Sequence, residues 1–195
     1  MTHKNYLEDL NNSKKTFIIY KSNKGFDLYT DFSKRIILTN NNVKRFINES
    51  TKLKSKRKET DLFIGFFGYE ILNNLIGVKV KKQKGLKFPK GIFYKPETKL
   101  KLPIKLNYRN LGIVKPNTLF KININKTSYK IIFNKFKKKI KSGETYQIKI
   151  CTKYRNKTQI DALDFFCRLV KSNMAPEAFM IKDKDYSIIS CSPEN

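Results

Sequence analysis

Few residues of this chain have side chains that could carry acid–base or metal chemistry. The only histidine is His3, in a polar amino-terminal stretch, so histidine-based proton transfer and a Ser-His triad are disfavoured. No pair of carboxylates, metal-ligand cluster or nucleophile elbow stands out. Gly65 and Gly68 lack the Lys and Ser/Thr of a phosphate-binding loop, so close backbone packing is the preferred interpretation. These residue types alone indicate a soluble α+β domain of unknown function.

The cysteines and the amino terminus bear on the cellular compartment. Cys151, Cys167 and Cys191 are widely spaced and odd in number, which is typical of reduced cytosolic thiols rather than disulfides or a zinc site. Residues 1–12 lack the apolar core of a secretory signal. No run of about 18 apolar residues could cross a membrane. The sequence therefore predicts a cytoplasmic protein without a membrane partner.

The net charge of +26, from 42 Lys and Arg against 16 Asp and Glu, has two interpretations. Such a charge can attract nucleic acid or an anionic membrane. It can also arise from solvated lysines on every exposed face of a chain rich in Lys, Asn and Ile. We favour the second, because the charge is dispersed and no zinc-finger or RNP-like signature is present. A basic nucleic-acid-binding module remains the alternative of another class.

The elements that must position any site are clearest in the C-terminal third. Apolar residues recur there at helical spacing, with Asn125 as a possible N-cap and Gly143 as a left-handed stop. Alternation over residues 146–150 then predicts a strand that carries Gln147. A second helix, capped by Thr158, precedes a hairpin of residues 179–181 and 186–189. The two apolar stripes are Tyr129, Ile132, Phe133, Phe136 and Ile140, and Ala162, Phe165, Phe166, Leu169 and Val170.

The first half of the chain is predicted to form short strands and helices. Residues 1–15 are expected to be frayed, and Pro96 is expected to turn the chain. Predicted strands are 16–20, 26–32, 35–39, 62–64 onward, 91–94, 100–106 and 111–114; predicted helices are 43–53 and 69–76. The sequence thus predicts an α+β fold of antiparallel sheets packed with helices.

Four segments, taken in order, resemble a known family. They are Phe63–Glu70, Lys141–Ile148, Asn173–Pro176 and Ser192–Glu194. Together they are similar to the chorismate-binding synthases, namely aminodeoxychorismate (para-aminobenzoate) synthase component I and anthranilate synthase component I. The resemblance covers about Thr60–Asn195 and implies a truncated form of their fold. It divides the chain into residues 1–123, from the N-terminal region, and 124–195, an incomplete start of the chorismate-binding domain.

The resemblance also implies an activity and two site residues. Family members displace the C4 hydroxyl of chorismate with the help of Mg²⁺ and a general acid, and a glutamine amidotransferase subunit supplies ammonia. At the position of Gln147, relatives that use water carry a Lys, whereas aminating members carry Gln. Glu194 stands where the family places the acid toward the leaving hydroxyl. The family's Mg²⁺-binding glutamates are expected beyond Asn195, so no metal ligand is predicted within the chain.

The sequence departs from the family at several points. The run Ile18–Ser22 lacks the glutamate of the family's Leu-Leu-Glu-Ser effector strand, and Glu177 follows Pro176 where a Tyr is frequent, so tryptophan binding is not expected. The chain is interpreted as an N-terminal fragment, inactive alone. The first interpretation is an aminodeoxychorismate synthase component I-like enzyme of folate precursor synthesis. Anthranilate synthase component I is the alternative, and a noncatalytic regulatory remnant stays open.

Overall fold

The computed structural model describes residues 3–22, 24–51, 58–78, 88–106, 108, 119–156, 160–173 and 175–192. The chain forms two compact units, Met1–Arg109 together with Ala162–Asn195, and Asn110–Asp161. The predicted division of the sequence at residue 123 concerns family segments and stays a prediction. The helices are α1 His3–Asn12, α2 Val43–Thr51, α3 Tyr69–Leu75, α4 Lys126–Lys141 and α5 Ala162–Asn173; the strands are β1 Phe17–Ser22, β2 Gly25–Ile37, β3 Ile64–Phe67, β4 Gly91–Leu102, β5 Lys121–Ile122, β6 Tyr154–Arg155, β7 Glu177–Lys182 and β8 Ser187–Ser192.

The first unit is built on one antiparallel sheet in the order β3-β4-β2-β1-β7-β8. Strand β1 lies inside the sheet because it pairs with β2 on one side and β7 on the other. The hairpin of β7 and β8 thereby pairs with a strand that lies about 160 residues earlier in the sequence, as in Phe17 opposite Lys182. The predicted α+β class with antiparallel pairing is confirmed.

The two faces of the sheet bury alternate residues of β1. Phe17 and Ile19 pack against α1 and α5, whereas Ile18 belongs to a second cluster with Tyr94 on the opposite face. This alternation is the two-residue period of a strand. The expected fraying is wrong for the described residues of the range 1–15, since α1 buries Leu7 and Leu10 against the sheet. Tertiary burial outweighs the polar composition of that segment.

The middle of the sheet is more continuous than the sequence predicts. The predicted strands 26–32 and 35–39 are one strand, β2, which pairs along nearly its whole length with β4. Pro96 does not turn the chain but lies inside β4, opposite Phe32, where the register shifts. A proline fits this position because the hydrogen-bond ladder is irregular there. The strand predicted over 111–114 lies outside the described residues.

The second unit contains α4 and the short pair β5 and β6. The Asn125 side chain accepts a hydrogen bond from the Ser128 amide at 2.8 Å, and Gly143 has a φ of 75°, so the predicted cap and stop are confirmed. The strand predicted over 146–150 is wrong, because no strand is assigned there. The reason is physical: the segment pairs with no strand of the described residues, and alternation alone does not make a strand.

Candidate functional site

Gln147 lies in the irregular segment that follows α4. Its side chain is exposed, and the neighbouring Tyr146 is 92% exposed. The Thr145 hydroxyl donates a hydrogen bond to the Gln147 carbonyl oxygen at 3.1 Å. Just before it, the ammonium of Lys139 contacts the carboxylate of Glu144 and holds the pKa of that carboxyl below its ordinary value. The helix end is thus fixed locally, and Gln147 is presented to solvent.

Glu194 lies outside the described residues, as does Thr158. The structure therefore places one member of the predicted pair and not the other. The roles of Gln147 and Glu194 stay predictions from the resemblance.

The segment Phe63–Glu70 is a packing element. A Cβ at Gly65 would collide with the carbonyl oxygen of Ile92, and one at Gly68 would collide with that of Lys90. The two glycines therefore let β3 approach β4 and its preceding turn closely, as the packing interpretation predicts. Ile71 of α3 is fully buried beside this turn.

The run Ile18–Ser22, which lacks the family's effector glutamate, forms most of β1. The Tyr20 hydroxyl donates to the Glu177 carboxylate at 2.5 Å, and the Lys21 ammonium donates to the carbonyl oxygen of Ala175. The hydrogen bond to Glu177 raises the pKa of Tyr20. Polar groups of β1 and of the start of β7 are thus engaged with one another within the chain.

A buried carboxylate at the other end of β1 is the most developed polar centre of the first unit. Asp183 sits in the turn between β7 and β8, and its side chain is 3% exposed. Arg35 donates to Oδ2 through Nε at 3.1 Å and Nη2 at 2.8 Å. Tyr94 donates to the same oxygen at 2.5 Å. The Thr16 hydroxyl and the Lys184 amide donate to Oδ1 at 3.2 and 2.7 Å.

These donors decide the charge of Asp183. Burial opposes ionisation and raises its pKa, but the hydrogen bonds from Tyr94, Arg35 and the Lys184 amide outweigh burial and lower the pKa to about 2. The same contact raises the pKa of Arg35, and burial raises the pKa of Tyr94. The centre is therefore an ionised pair at neutral pH. The sequence analysis missed it, because residues 182–185 enter there only as the unnamed link between the two predicted strands of the hairpin.

A cleft of about 450 Å³ opens beside this pair. The loop between α1 and β1 forms one side, β2 and β4 form another, and Lys184 of the turn after β7 completes the lining. Its wall contains the aromatic rings of Phe32 and Tyr94, whose centroids are 5.1 Å apart. The lining residues are Ser13, Lys14, Lys15, Thr16, Asp31, Phe32, Arg35, Tyr94 and Lys184.

The residues present do not fit a magnesium site. Within the described ranges, no three His, Cys, Asp or Glu side chains come together in a way that could hold a metal ion. Asp183 has its oxygens occupied by protein donors. The Mg²⁺ implied by the resemblance therefore stays a prediction about residues beyond Asn195. The three cysteines all lie in the described residues and form no disulfide. None of the helices in the described parts is long and apolar enough to cross a membrane.

Comparison with known proteins gives one family match. Residues 112–195 match the family described as chorismate binding enzyme. This range contains three of the four segments on which the sequence resemblance depends. The resemblance to chorismate-binding enzymes is thereby confirmed.

Curated relatives extend the similarity into the first half of the chain. Anthranilate synthase component 1 of Buchnera aphidicola subsp. Diuraphis noxia is 25% identical over 186 residues, which cover 77% of this chain and 36% of the relative. The protein of the same name from Buchnera aphidicola subsp. Schizaphis graminum (strain Sg) is 29% identical over 126 residues, 64% of this chain and 23% of the relative. The chain thus spans about a third or less of these relatives' length.

Proposed function

Because residues 112–195 match the family described as chorismate binding enzyme, we propose that this chain is part of a synthase that aminates chorismate. The single observation that carries the proposal is this match, together with the Gln at position 147 inside it. The substrate is chorismate, the nitrogen donor is ammonia, and the partner is a glutamine amidotransferase subunit. Mg²⁺, whose glutamate ligands are expected beyond Asn195, would supply charge stabilisation for the departing hydroxyl.

The choice of ammonia over water follows from the chemistry of the Gln147 side chain. Water needs a base to become a good nucleophile, and a lysine of lowered pKa can act as one. An amide does not accept a proton near neutral pH, so Gln147 can orient a nucleophile but cannot deprotonate it. Neutral ammonia is a much stronger nucleophile than neutral water, so it can attack without prior deprotonation by such a base. Glu194 is proposed to donate the proton that the C4 hydroxyl needs in order to leave.

Two products are open to an aminating synthase, and each has an observation in its favour. The Asn173-x-Ala175-Pro176 run and the lack of a Leu-Leu-Glu-Ser strand favour 4-amino-4-deoxychorismate, which we propose as the product. The alternative is anthranilate, which is favoured because the relatives described above are named anthranilate synthase component 1. Both products require the same replacement of a hydroxyl by nitrogen.

The test is an assay of the natural gene product with chorismate, ammonium and Mg²⁺, analysed by mass spectrometry. We expect an aminated product that keeps the enolpyruvyl group. Release of pyruvate with an aromatic amine would assign the alternative. A hydroxylated isomer of chorismate without any aminated product would refute the proposal. The 195-residue chain alone is expected to leave chorismate unchanged, and robust turnover by it would show that the predicted dependence on further glutamates is wrong.

A further inference from the structure

The cleft beside Asp183 contains one cation, Arg35, that is held in place by a built framework. Arg35 is fixed through two nitrogens to a carboxylate that is itself buried. Its side chain is still 45% exposed, so the remaining guanidinium N–H groups are available to a ligand. A guanidinium whose orientation is already fixed loses little entropy when it binds an oxyanion.

The charges around the cleft do not cancel. Lys14, Lys15 and Lys184 join Arg35 along its lining, and Asp31 is the carboxylate among the lining residues. With Asp183 behind Arg35, four cations face two carboxylates, which leaves two positive charges. A ligand with two negative charges would therefore neutralise the cleft, whereas a cation would be repelled.

The wall of the cleft adds an apolar component. The rings of Phe32 and Tyr94 form an inclined pair, at 53° to each other, and the Thr16 hydroxyl lies beside them in the lining. A cleft of about 450 Å³ has the size of an ordinary small-molecule site. An anion with a ring or a comparable apolar group would use both the cations and this wall.

The backbone at the two edges of the cleft is also unusual. Lys14 has a φ of 55° and Asp31 a φ of 52°, and both residues line the cleft. Residues other than glycine rarely adopt this left-handed conformation, and such residues cluster at ligand-binding sites. The structure thus holds two lining residues in a costly conformation on opposite sides of the same cavity.

We propose that this cleft binds a small dianion that carries an apolar group, either a phosphate monoester or a dicarboxylate. Arg35, Lys14 and Lys184 bind the charged oxygens, and Phe32 contacts the apolar part. Its described lining residues all lie in the first unit, whereas Gln147 lies in the second. It is therefore a second site, and it does not depend on the proposed chorismate amination.

Calorimetric titration of the 195-residue chain tests this inference at about 0.15 M salt. Phenyl phosphate and phthalate are the two ring-bearing probes, and they distinguish the phosphate source from the dicarboxylate source. Inorganic phosphate tests the charge alone. We expect at least one ring-bearing probe to bind several-fold more tightly than inorganic phosphate, since only the former reaches the aromatic wall.

Matched variants separate the cleft from the general positive charge. The double variant Lys14→Asn and Lys184→Gln removes two lining cations, and Asn is chosen because it tolerates positive φ. The control Lys44→Gln and Lys171→Gln removes two exposed lysines of α2 and α5 that do not line the cleft. We expect about tenfold or greater weakening in the first variant, and none in the second, because each hydrogen bond to a charged group contributes about tenfold or more.

Two results would overturn the proposal. One is equal weakening in the cleft variant and the control, which would show that binding follows overall charge. The other is an absence of saturable heat for both ring-bearing probes with the unmodified chain. Thermal unfolding of both variants without ligand is measured first, and midpoints equal to that of the unmodified chain show that any lost binding is not lost folding.

Discussion

The substitution Asp183→Asn probes the best-defined polar centre of the structure. It keeps the shape of the side chain but removes the negative charge of the group to which Arg35 and Tyr94 donate hydrogen bonds. The new side-chain NH₂ group would also place a hydrogen-bond donor opposite groups that are themselves donors. We therefore expect a clear loss of stability in the first unit, without a change in which residues form its sheet.

The magnitude follows from the proton-binding equilibrium of Asp183. Its pKa falls from 3.8 in the unfolded reference to about 2 in the folded chain, and each pKa unit corresponds to about 1.4 kcal/mol. The ionised form thus contributes about 2 kcal/mol near neutral pH. Removal of one partner of a buried pair costs about 3–5 kcal/mol, but Arg35 is half exposed, so about 2–3 kcal/mol is expected here. For a chain of this size the melting temperature should fall by roughly 4–12 °C.

The sign of the pH dependence is fixed by the lowered pKa. The stabilisation is complete above the unfolded pKa of 3.8 and disappears as pH falls through the folded pKa of about 2. The difference in stability between the unmodified chain and Asp183→Asn should therefore be constant from pH 7 to pH 5 and shrink between about pH 4 and pH 2.

Urea denaturation at pH 7, 5, 4 and 3, followed by circular dichroism, measures this difference. Asp185→Asn is the matched control, since it removes a carboxylate from the same turn at an exposed position. We expect the control to change stability by less than about 0.5 kcal/mol. A difference between the two variants below that value at pH 7 would refute the view that Asp183 organises this end of the sheet.

Three further predictions concern packing, catalysis and charge. Gly65→Ala should destabilise the chain by at least about 2 kcal/mol in urea denaturation, because its Cβ would collide with the Ile92 carbonyl. The control is Gly77→Ala: a Cβ at Gly77 meets no neighbouring atom, but the residue has a φ of 77°, so this variant measures the effect of backbone strain alone. In the natural gene product, Glu194→Gln should lower kcat for amination by about 10²–10⁴-fold with little change in chorismate affinity. Turnover of this variant within about threefold of the parent would make Glu194 a structural turn residue. Gln147→Lys should depress amination and permit some hydroxylation of chorismate. The chain should bind DNA and RNA weakly, without sequence preference, and with an affinity that falls steeply as salt rises. Tight binding to one sequence in preference to others, measured by fluorescence titration near physiological salt, would contradict the interpretation of the charge as dispersed.

The sequence predicted those elements whose signals are local. The Asn125 cap, the Gly143 stop and the α3 helix depend on residues within one or two turns of one another. The hairpin of β7 and β8 likewise follows from one polar turn between two apolar runs. Such features can be read directly because the interacting groups are neighbours in the chain.

Features that depend on distant residues were not predictable in the same way. Asp183 is 148 residues from Arg35 and 167 from Thr16, and no spacing rule connects them. The formation of helix α1 depends on the burial of Leu7 and Leu10 against strands that follow later in the chain. The continuity of β4 through Pro96 depends on an irregularity in its pairing with β2. In each case the deciding contact is tertiary, and local propensity is a weak guide to it.

The prediction for Gln147 combines a local signal with a requirement for tertiary contacts. The alternation around it specifies which side chains would share a face, but a strand also needs a neighbour that accepts and donates the backbone hydrogen bonds. In the described part of the second unit, β5 pairs with β6 and not with residues 146–150. None of the residues of α4 is buried either, so the apolar faces that could organise this segment have no core within the described unit. The proposed role of Gln147 therefore requires a sheet to form around it. The described lining residues of the cleft beside Asp183, by contrast, all lie in the first unit, and the cleft can be tested in the chain as it stands.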